Sequence, residues 1–165
     1  MRLAGARCPE SRDTLPALGA ALLATTLEAV GRFAWDSPYL PELTAEAFFG
    51  FIPPWAFTPL FRTFGYNSKY YAFAAMIAAE IGGLALGGAV LRRWLRDRQL
   101  AGRRTAWCAA AVAAALAGVI LIGILPLVGA GLGGWGTTGG ARTAIPTVIV
   151  VAACYAAVLA GGVSR

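Results

Sequence analysis

The stretch Tyr70–Leu91 reads YYAFAAMIAAEIGGLALGGAVL. It is about as long as an α-helix must be to cross the ~30 Å hydrocarbon core of a bilayer. Two tyrosines open the stretch, the arginine-rich residues 92–104 follow it, and its one charged side chain, Glu80, lies near the midpoint. The stretch therefore predicts a membrane-spanning helix and makes Glu80 a candidate intramembrane functional residue.

The composition of the whole chain agrees with a membrane protein. Hydrophobic residues make up 58% of the 165 residues and charged residues 13%, whereas about a quarter of a soluble domain is charged. Long apolar runs alternate with short polar segments, which predicts an all-α integral membrane protein: a four-transmembrane-helix bundle forming a single domain over residues 1–165. The predicted spans are residues 15–33, 70–91, 107–128 and 144–163.

The distribution of arginine predicts the orientation of these spans. Residues 92–104 contain six arginines and one acid, so the positive-inside rule makes them a cytoplasmic basic loop. With four spans, both chain ends are then inside, and the segment between the first two spans is outside, as is the glycine-rich loop 129–143. We expect a multi-pass protein of the bacterial plasma membrane. The net charge of +6 follows from this topology, and no motif predicts a nucleic-acid partner.

The absence of histidine narrows the possible chemistry. Haem ligation by two histidines and histidine-based catalytic triads are excluded. The three cysteines, Cys8, Cys108 and Cys154, lack the spacing of a metal site. We therefore predict no catalytic residue, no metal ligand and no cofactor in this chain. Contact between Glu80 and a quinone headgroup is left open.

Five prolines interrupt the segment between the first two spans, at positions 38, 41, 53, 54 and 59. No helix can run through them unbroken. The pieces between them are apolar and aromatic, but they are too short to span a bilayer. We predict that residues 41–64, approximately, form two short helices in the membrane interface. A re-entrant loop is the alternative.

Two pairs of residues spaced four positions apart predict contacts made by the first and second spans. Gly83 and Gly87 form a GxxxG motif, which allows close approach of another helix, including a helix of a second copy of the chain. Glu28 and Arg32 are four residues apart at the outer end of the first span, which predicts an ion pair on one helix face.

Glu80 needs a partner, because a carboxylate near the bilayer midplane costs roughly 2.5–3.5 kcal/mol on insertion scales. The sequence predicts no second ionisable residue at that depth. A hydrogen bond from Thr25 or Thr26 of the first span would make Glu80 a neutral packing residue. The functional alternatives are proton transfer, cation coupling or contact with a quinone.

The outer segment carries a family resemblance. Pro53–Pro54, the step Phe61–Gly65 (FRTFG) and Asn67–Lys69 (NSK) resemble the N-terminal membrane region of bacterial sulfite oxidase-like molybdopterin-dependent oxidoreductases. The basic loop and the two further spans fit the same architecture. Those proteins continue into a soluble domain that holds molybdenum, and this chain has no counterpart of it. The resemblance therefore implies that the chain is the membrane part alone.

On this basis we expect a non-catalytic membrane anchor or docking domain for such an oxidoreductase. Arg62, Asn67 and Lys69 are the candidate docking residues on the outer face, with interface anchoring and helix capping as their plainer alternatives. The expected partners are the lipid bilayer, a molybdopterin oxidoreductase domain or subunit, and a second copy packed through small-residue faces. Two other functions remain open: a small oligomeric transporter or channel subunit with Glu80 as its midplane site, and a structural membrane assembly protein.

Overall fold

The computed structural model describes residues 11–98 and 103–161, and these residues contain helices, turns and loops but no strand. Cys8, residues 99–102 of the basic loop and the last two residues of the fourth predicted span lie outside the described residues. The helices are α1 (Ser11–Trp35), α2 (Leu40–Phe51), α3 (Pro54–Phe64), α4 (Ser68–Asp97), α5 (Arg103–Gly118), α6 (Leu125–Leu127) and α7 (Gly140–Gly161).

Four helical runs in the described chain are long and apolar enough to cross a membrane, as the sequence predicted. They are Asp13–Trp35, Arg62–Asp97, Arg103–Leu127 and Gly140–Gly161. The two short helices predicted between the first two spans are also present, as α2 and α3. Their bounds reflect the prolines, because Pro41 lies at the start of α2 and Pro54 begins α3.

One predicted boundary was wrong. Helix α4 does not end at Leu91 but continues to Asp97, so Arg92, Arg93 and Arg96 are helical rather than part of a loop. Arginine is a good helix former, and no glycine or proline follows Leu91 until Gly102. The basic segment therefore begins as the last turns of a helix.

The spanning helices are arranged in a row rather than a closed ring. Their order is α4, α1, α7, α5, and α4 and α5 share no packed interface within the described segments. The centre of the row is an apolar cluster in which alanines of α1 meet α4 and α7. Its buried members are Ala17, Ala20, Ala24, Ala89, Val151, Tyr155 and Leu159. Small side chains on α1 let both neighbours approach closely.

The glycine that allows close packing of α4 is not the predicted one. Gly83 and Gly87 are exposed, and a Cβ added at either would have nothing within 4 Å. Gly88 is buried instead, and a Cβ there would lie 2.9 Å from the Tyr155 hydroxyl and 3.2 Å from the Cβ of Ala17. The GxxxG face is therefore not used for packing within the chain.

Helix α5 leads into a π-helical segment, Val119–Ile124, before α6. Pro126 explains this geometry, because its ring has no N–H to donate and crowds the carbonyl four residues earlier. The wider π turn relieves that crowding. A second apolar cluster surrounds this segment, and it includes Ile120, Leu125, Val148 and Ala152.

A buried ion pair links α1 to α4 at the end of the bundle where α1 begins and α4 ends. Arg92 of α4 and Asp13 of α1 are paired at 3.7 Å (Nε to Oδ1), and each side chain is 5% exposed. Arg96 also pairs with Asp13, and Arg92 Nη1 donates a hydrogen bond of 2.7 Å to the Leu159 carbonyl of α7. Three of the four spanning helices are thus joined at this end.

At the opposite end, α1 is tied to α7. Asp36 ends α1 in the left-handed region, with φ of 53°, and the next residue folds back so that Ser37 N–H donates to Gly31 O. Trp35 Nε1 donates a hydrogen bond of 2.8 Å to Thr147 Oγ1 on α7. These contacts fix the point where the chain turns from α1 into α2.

Candidate functional site

The structure places a second carboxyl group beside Glu80. Glu28 of α1 lies within hydrogen-bonding contact of Glu80 of α4, and Glu28 is only 4% exposed. The prediction that no second ionisable residue lies at the depth of Glu80 was therefore wrong. The position of Glu28 near the outer end of its helix predicts contact with water, but the helix face that carries Glu28 turns toward α4.

Two further groups contact the carboxyl pair, defined as Glu28 and Glu80. Thr25 Oγ1 donates to Glu80 Oε1 at 3.5 Å, which is one of the two hydrogen bonds predicted from the sequence. Thr26 donates instead to the Leu22 carbonyl of its own helix. The backbone N–H of Leu40, at the start of α2, donates to Glu28 and so satisfies one of the open donors of that helix end.

Each carboxyl group of the pair nevertheless has one oxygen that accepts no hydrogen bond from the described residues. The Oε2 atoms of Glu28 and Glu80 are both buried without a hydrogen-bond partner. Buried polar atoms are nearly always paired, and an exception calls for a bound water, an ion or a functional role. Two carboxyl groups in contact in an apolar environment avoid carrying two negative charges by sharing one proton.

Arg32 does not pair with Glu28, contrary to the prediction from their spacing. It binds Glu42 of α2 through two nitrogens, at 2.8 Å (Nε to Oε2) and 3.4 Å (Nη2 to Oε1), and it also pairs with Asp36 at 3.0 Å. The forked geometry explains the choice, because a guanidinium and a carboxylate match each other bidentately. Arg32 thereby fastens α2 to α1.

A cavity of about 1120 Å³ opens above the carboxyl pair, on the side of the chain where α1 ends and α4 begins. One face of each of three helices lines it: α1 through Arg32 and its neighbours, α2 from Tyr39 to Phe49, and the first turns of α4. Its lining contains both aromatic and charged side chains. The cavity combines apolar area with several polar groups, which is the usual form of a binding site.

Tyr39 is a cavity residue close enough to the carboxyl pair to be influenced by its charge. It lines the cavity and packs edge-on against Phe73 of α4, with ring centroids 6.0 Å apart. Burial, together with the carboxyl groups of Glu80, Glu28 and Glu42, raises the pKa of Tyr39. Its hydroxyl therefore remains neutral next to these acids.

The three predicted docking residues are all exposed, but they do not converge. Lys69, in the first turn of α4, lines the cavity. Arg62 lies in the last turn of α3, and Asn67 lies in the 3-10 turn that joins α3 to α4; neither reaches the cavity wall. No sequence motif marks Tyr39 or Glu42 as site residues, because both reach the cavity only when α2 folds back onto α1.

The described side chains show two acids at this point and no larger cluster of metal-binding type. No group of three or more His, Cys, Asp or Glu residues comes together in residues 11–98 and 103–161. Comparisons with protein-family models, curated proteins and solved structures give no match to this chain.

Proposed function

We propose that this chain is a membrane docking domain that holds a sulfite oxidase-like molybdopterin oxidoreductase, as a domain or a subunit, at the outer surface of the bacterial plasma membrane. The resemblance over residues 53–69 supports the class of partner. The arginines of residues 92–104 support an orientation with both chain ends inside. In that orientation α2 and α3 lie in the outer interface, and Arg62, Asn67 and Lys69 face the partner.

The observation that carries this proposal is the bracing of the outer segment. The Arg32–Glu42 bridge ties α2 to α1, and the contact between Tyr39 and Phe73 ties it to α4. A surface that is already ordered loses less conformational entropy when a partner binds. The start of the proline-rich segment, at Tyr39 and α2, is therefore held against both α1 and α4, which supports its use as part of a docking platform.

Co-purification tests the docking proposal. The tagged chain is expressed with a sulfite oxidase-like oxidoreductase from the same genome and is solubilised in mild detergent. We expect the oxidoreductase to be retained, and the triple variant Arg62→Ala, Asn67→Ala, Lys69→Ala to retain at least tenfold less. Arg142→Ala, in the exposed first turn of α7, is the matched control. Equal retention by the triple variant, or none by the wild-type chain, contradicts the proposal.

A labelling experiment tests the orientation separately. Lys69 is the single lysine of the sequence, and it is exposed at the start of α4. A membrane-impermeant amine reagent added to intact cells is expected to label Lys69 and to spare the N-terminal amine. Labelling only after the cells are opened would reverse the proposed orientation.

The carboxyl pair favours a second candidate, a small oligomeric subunit that carries protons or cations. A lone Glu80 was weak support for that function, but Glu28 adds a second acid with an unpaired oxygen. Purified chain in liposomes, loaded with a pH-sensitive dye, would then carry protons faster than empty liposomes. The Glu28→Gln, Glu80→Gln double variant would abolish that excess. A wild-type rate equal to that of empty liposomes rules out proton transport as the function.

A further inference from the structure

We propose that the cavity above the carboxyl pair binds a zwitterionic phospholipid with a primary amine, of the phosphatidylethanolamine class. The lipid headgroup would sit in the cavity and its acyl chains would lie along α1 and α4 in the bilayer. This inference does not require a docked partner; it shares Lys69 with the proposed docking surface, whereas Glu46 belongs to the cavity and is not a predicted docking residue.

The charges of the cavity wall select the headgroup. Three carboxylates (Asp36, Glu42 and Glu46) and two cations (Arg32 and Lys69) line it. Arg32 is already bound to Asp36 and Glu42. Glu46 and Lys69 remain, and neither has an ion pair among the described residues. One acid and one base left over match a ligand that carries one positive and one negative charge.

The charges of Lys69 and Glu46 indicate which part of the lipid headgroup each side chain would contact. A phosphate is a ligand of Lys69, which acts as a point charge with three donors. A primary ammonium can donate hydrogen bonds to the carboxylate of Glu46, whereas a quaternary choline has no N–H to donate. A lipid with only an anionic headgroup would find one cation facing it and would be repelled by the surplus carboxylate.

The position and size of the cavity agree with a lipid. It lies where α1 ends and α4 begins, the depth at which aromatic side chains meet the bilayer surface. Phe33, which lines it, is 91% exposed and offers its ring to acyl chains. At about 1120 Å³ the cavity exceeds the roughly 300–1,000 Å³ of ordinary small-molecule pockets, so it has room for a headgroup, the glycerol and the first methylenes.

Lipid exchange into nanodiscs tests the proposal. The purified chain is placed in discs with equal amounts of phosphatidylethanolamine, phosphatidylcholine and phosphatidylglycerol, and the lipids that stay bound are counted by native mass spectrometry. We expect phosphatidylethanolamine to be enriched about threefold to fivefold over each of the others. This range corresponds to one ion pair at an exposed site, since Glu46 and Lys69 are both exposed.

Two variants separate the contacts. Glu46→Gln is expected to remove the preference for the amine, so that phosphatidylethanolamine and phosphatidylcholine bind equally. Lys69→Gln is expected to lower the binding of both about threefold. Asp97→Asn and Arg142→Gln are matched controls, because both residues are exposed and lie away from the cavity; they should leave lipid binding unchanged. Circular dichroism of each variant checks that the helices are intact.

Three outcomes would overturn the proposal: enrichment of phosphatidylglycerol over phosphatidylethanolamine, an undiminished amine preference in Glu46→Gln, or equally tight binding of soluble phosphoethanolamine, which has no acyl chains. Glu46 is not among the predicted docking residues. A failure of lipid selection is therefore distinguishable from a failure of partner docking.

Discussion

Replacing Asp13 by asparagine is expected to destabilise the protein strongly, because Asp13 neutralises a buried arginine. Asn has nearly the same size as Asp, so the change removes charge while it keeps the packing. The affected partner is Arg92, whose side chain is 5% exposed and whose Nε has no hydrogen-bond partner. Without Asp13 the guanidinium keeps one hydrogen bond, 2.7 Å from Nη1 to Leu159 O.

The magnitude follows from the burial of the two residues. Breaking a buried ion pair by removing one partner typically costs about 3–5 kcal/mol. The second contact of Asp13 adds at most about 1 kcal/mol, since Arg96 is 43% exposed. The retained hydrogen bond to Leu159 places the expected loss at the lower end, about 3 kcal/mol. For a chain of this length that loss lowers the melting temperature by about 6–12 °C.

The assay is thermal unfolding in mild detergent, followed by circular dichroism. Asp97→Asn is the control, because Asp97 is an exposed acid at the same end of α4; its effect should stay within about 0.5 kcal/mol. A loss at Asp13 below about 1 kcal/mol, or one equal to the control, would refute the reasoning. It would mean that Arg92 is neutralised or hydrated by a route other than Asp13.

Two further predictions concern packing and the carboxyl pair. Gly88→Ala is expected to cost about 1–3 kcal/mol, since the added Cβ would lie 2.9 Å from the Tyr155 hydroxyl, whereas Gly87→Ala, with open space around it, should be neutral or stabilising in the same thermal assay. Glu28→Gln and Glu80→Gln, each alone, should leave stability within about 0.5 kcal/mol of wild type or raise it, because an amide N–H can take the place of the shared proton. A loss above about 2 kcal/mol in either variant would show that the two carboxyl groups do not support each other.

The long helices could be predicted from the sequence because long apolar runs with few charges are typical of membrane-spanning helices. The runs around Tyr70–Leu91 and residues 107–128 contain few charges, and backbone hydrogen bonds in a bilayer permit little besides a helix. The prolines at 41 and 54 likewise marked where α2 and α3 begin. These signals are local, so a single sequence carries them in full.

The neighbours of each helix could not be predicted, and neither could the site. The GxxxG motif pointed to Gly83 and Gly87, but the face of α4 that packs contains Gly88, since the rotation of a helix is set by all its contacts together. Glu28 was paired by spacing with Arg32, whereas the return of α2 offered Arg32 a better carboxylate in Glu42 and left Glu28 to face Glu80. The spacing rule considers only residues of the same helix, so it does not include competing partners on other helices.

The contact between α1 and α7 has a consequence for biosynthesis. Trp35 and Thr147 are 112 positions apart in the chain, and α7 is the partner that covers one side of the alanine-rich face of α1. Helix α4 is synthesised before α7 and can cover its own side of α1 first. The side of α1 that meets α7 therefore has no partner from its own chain until α7 has been made.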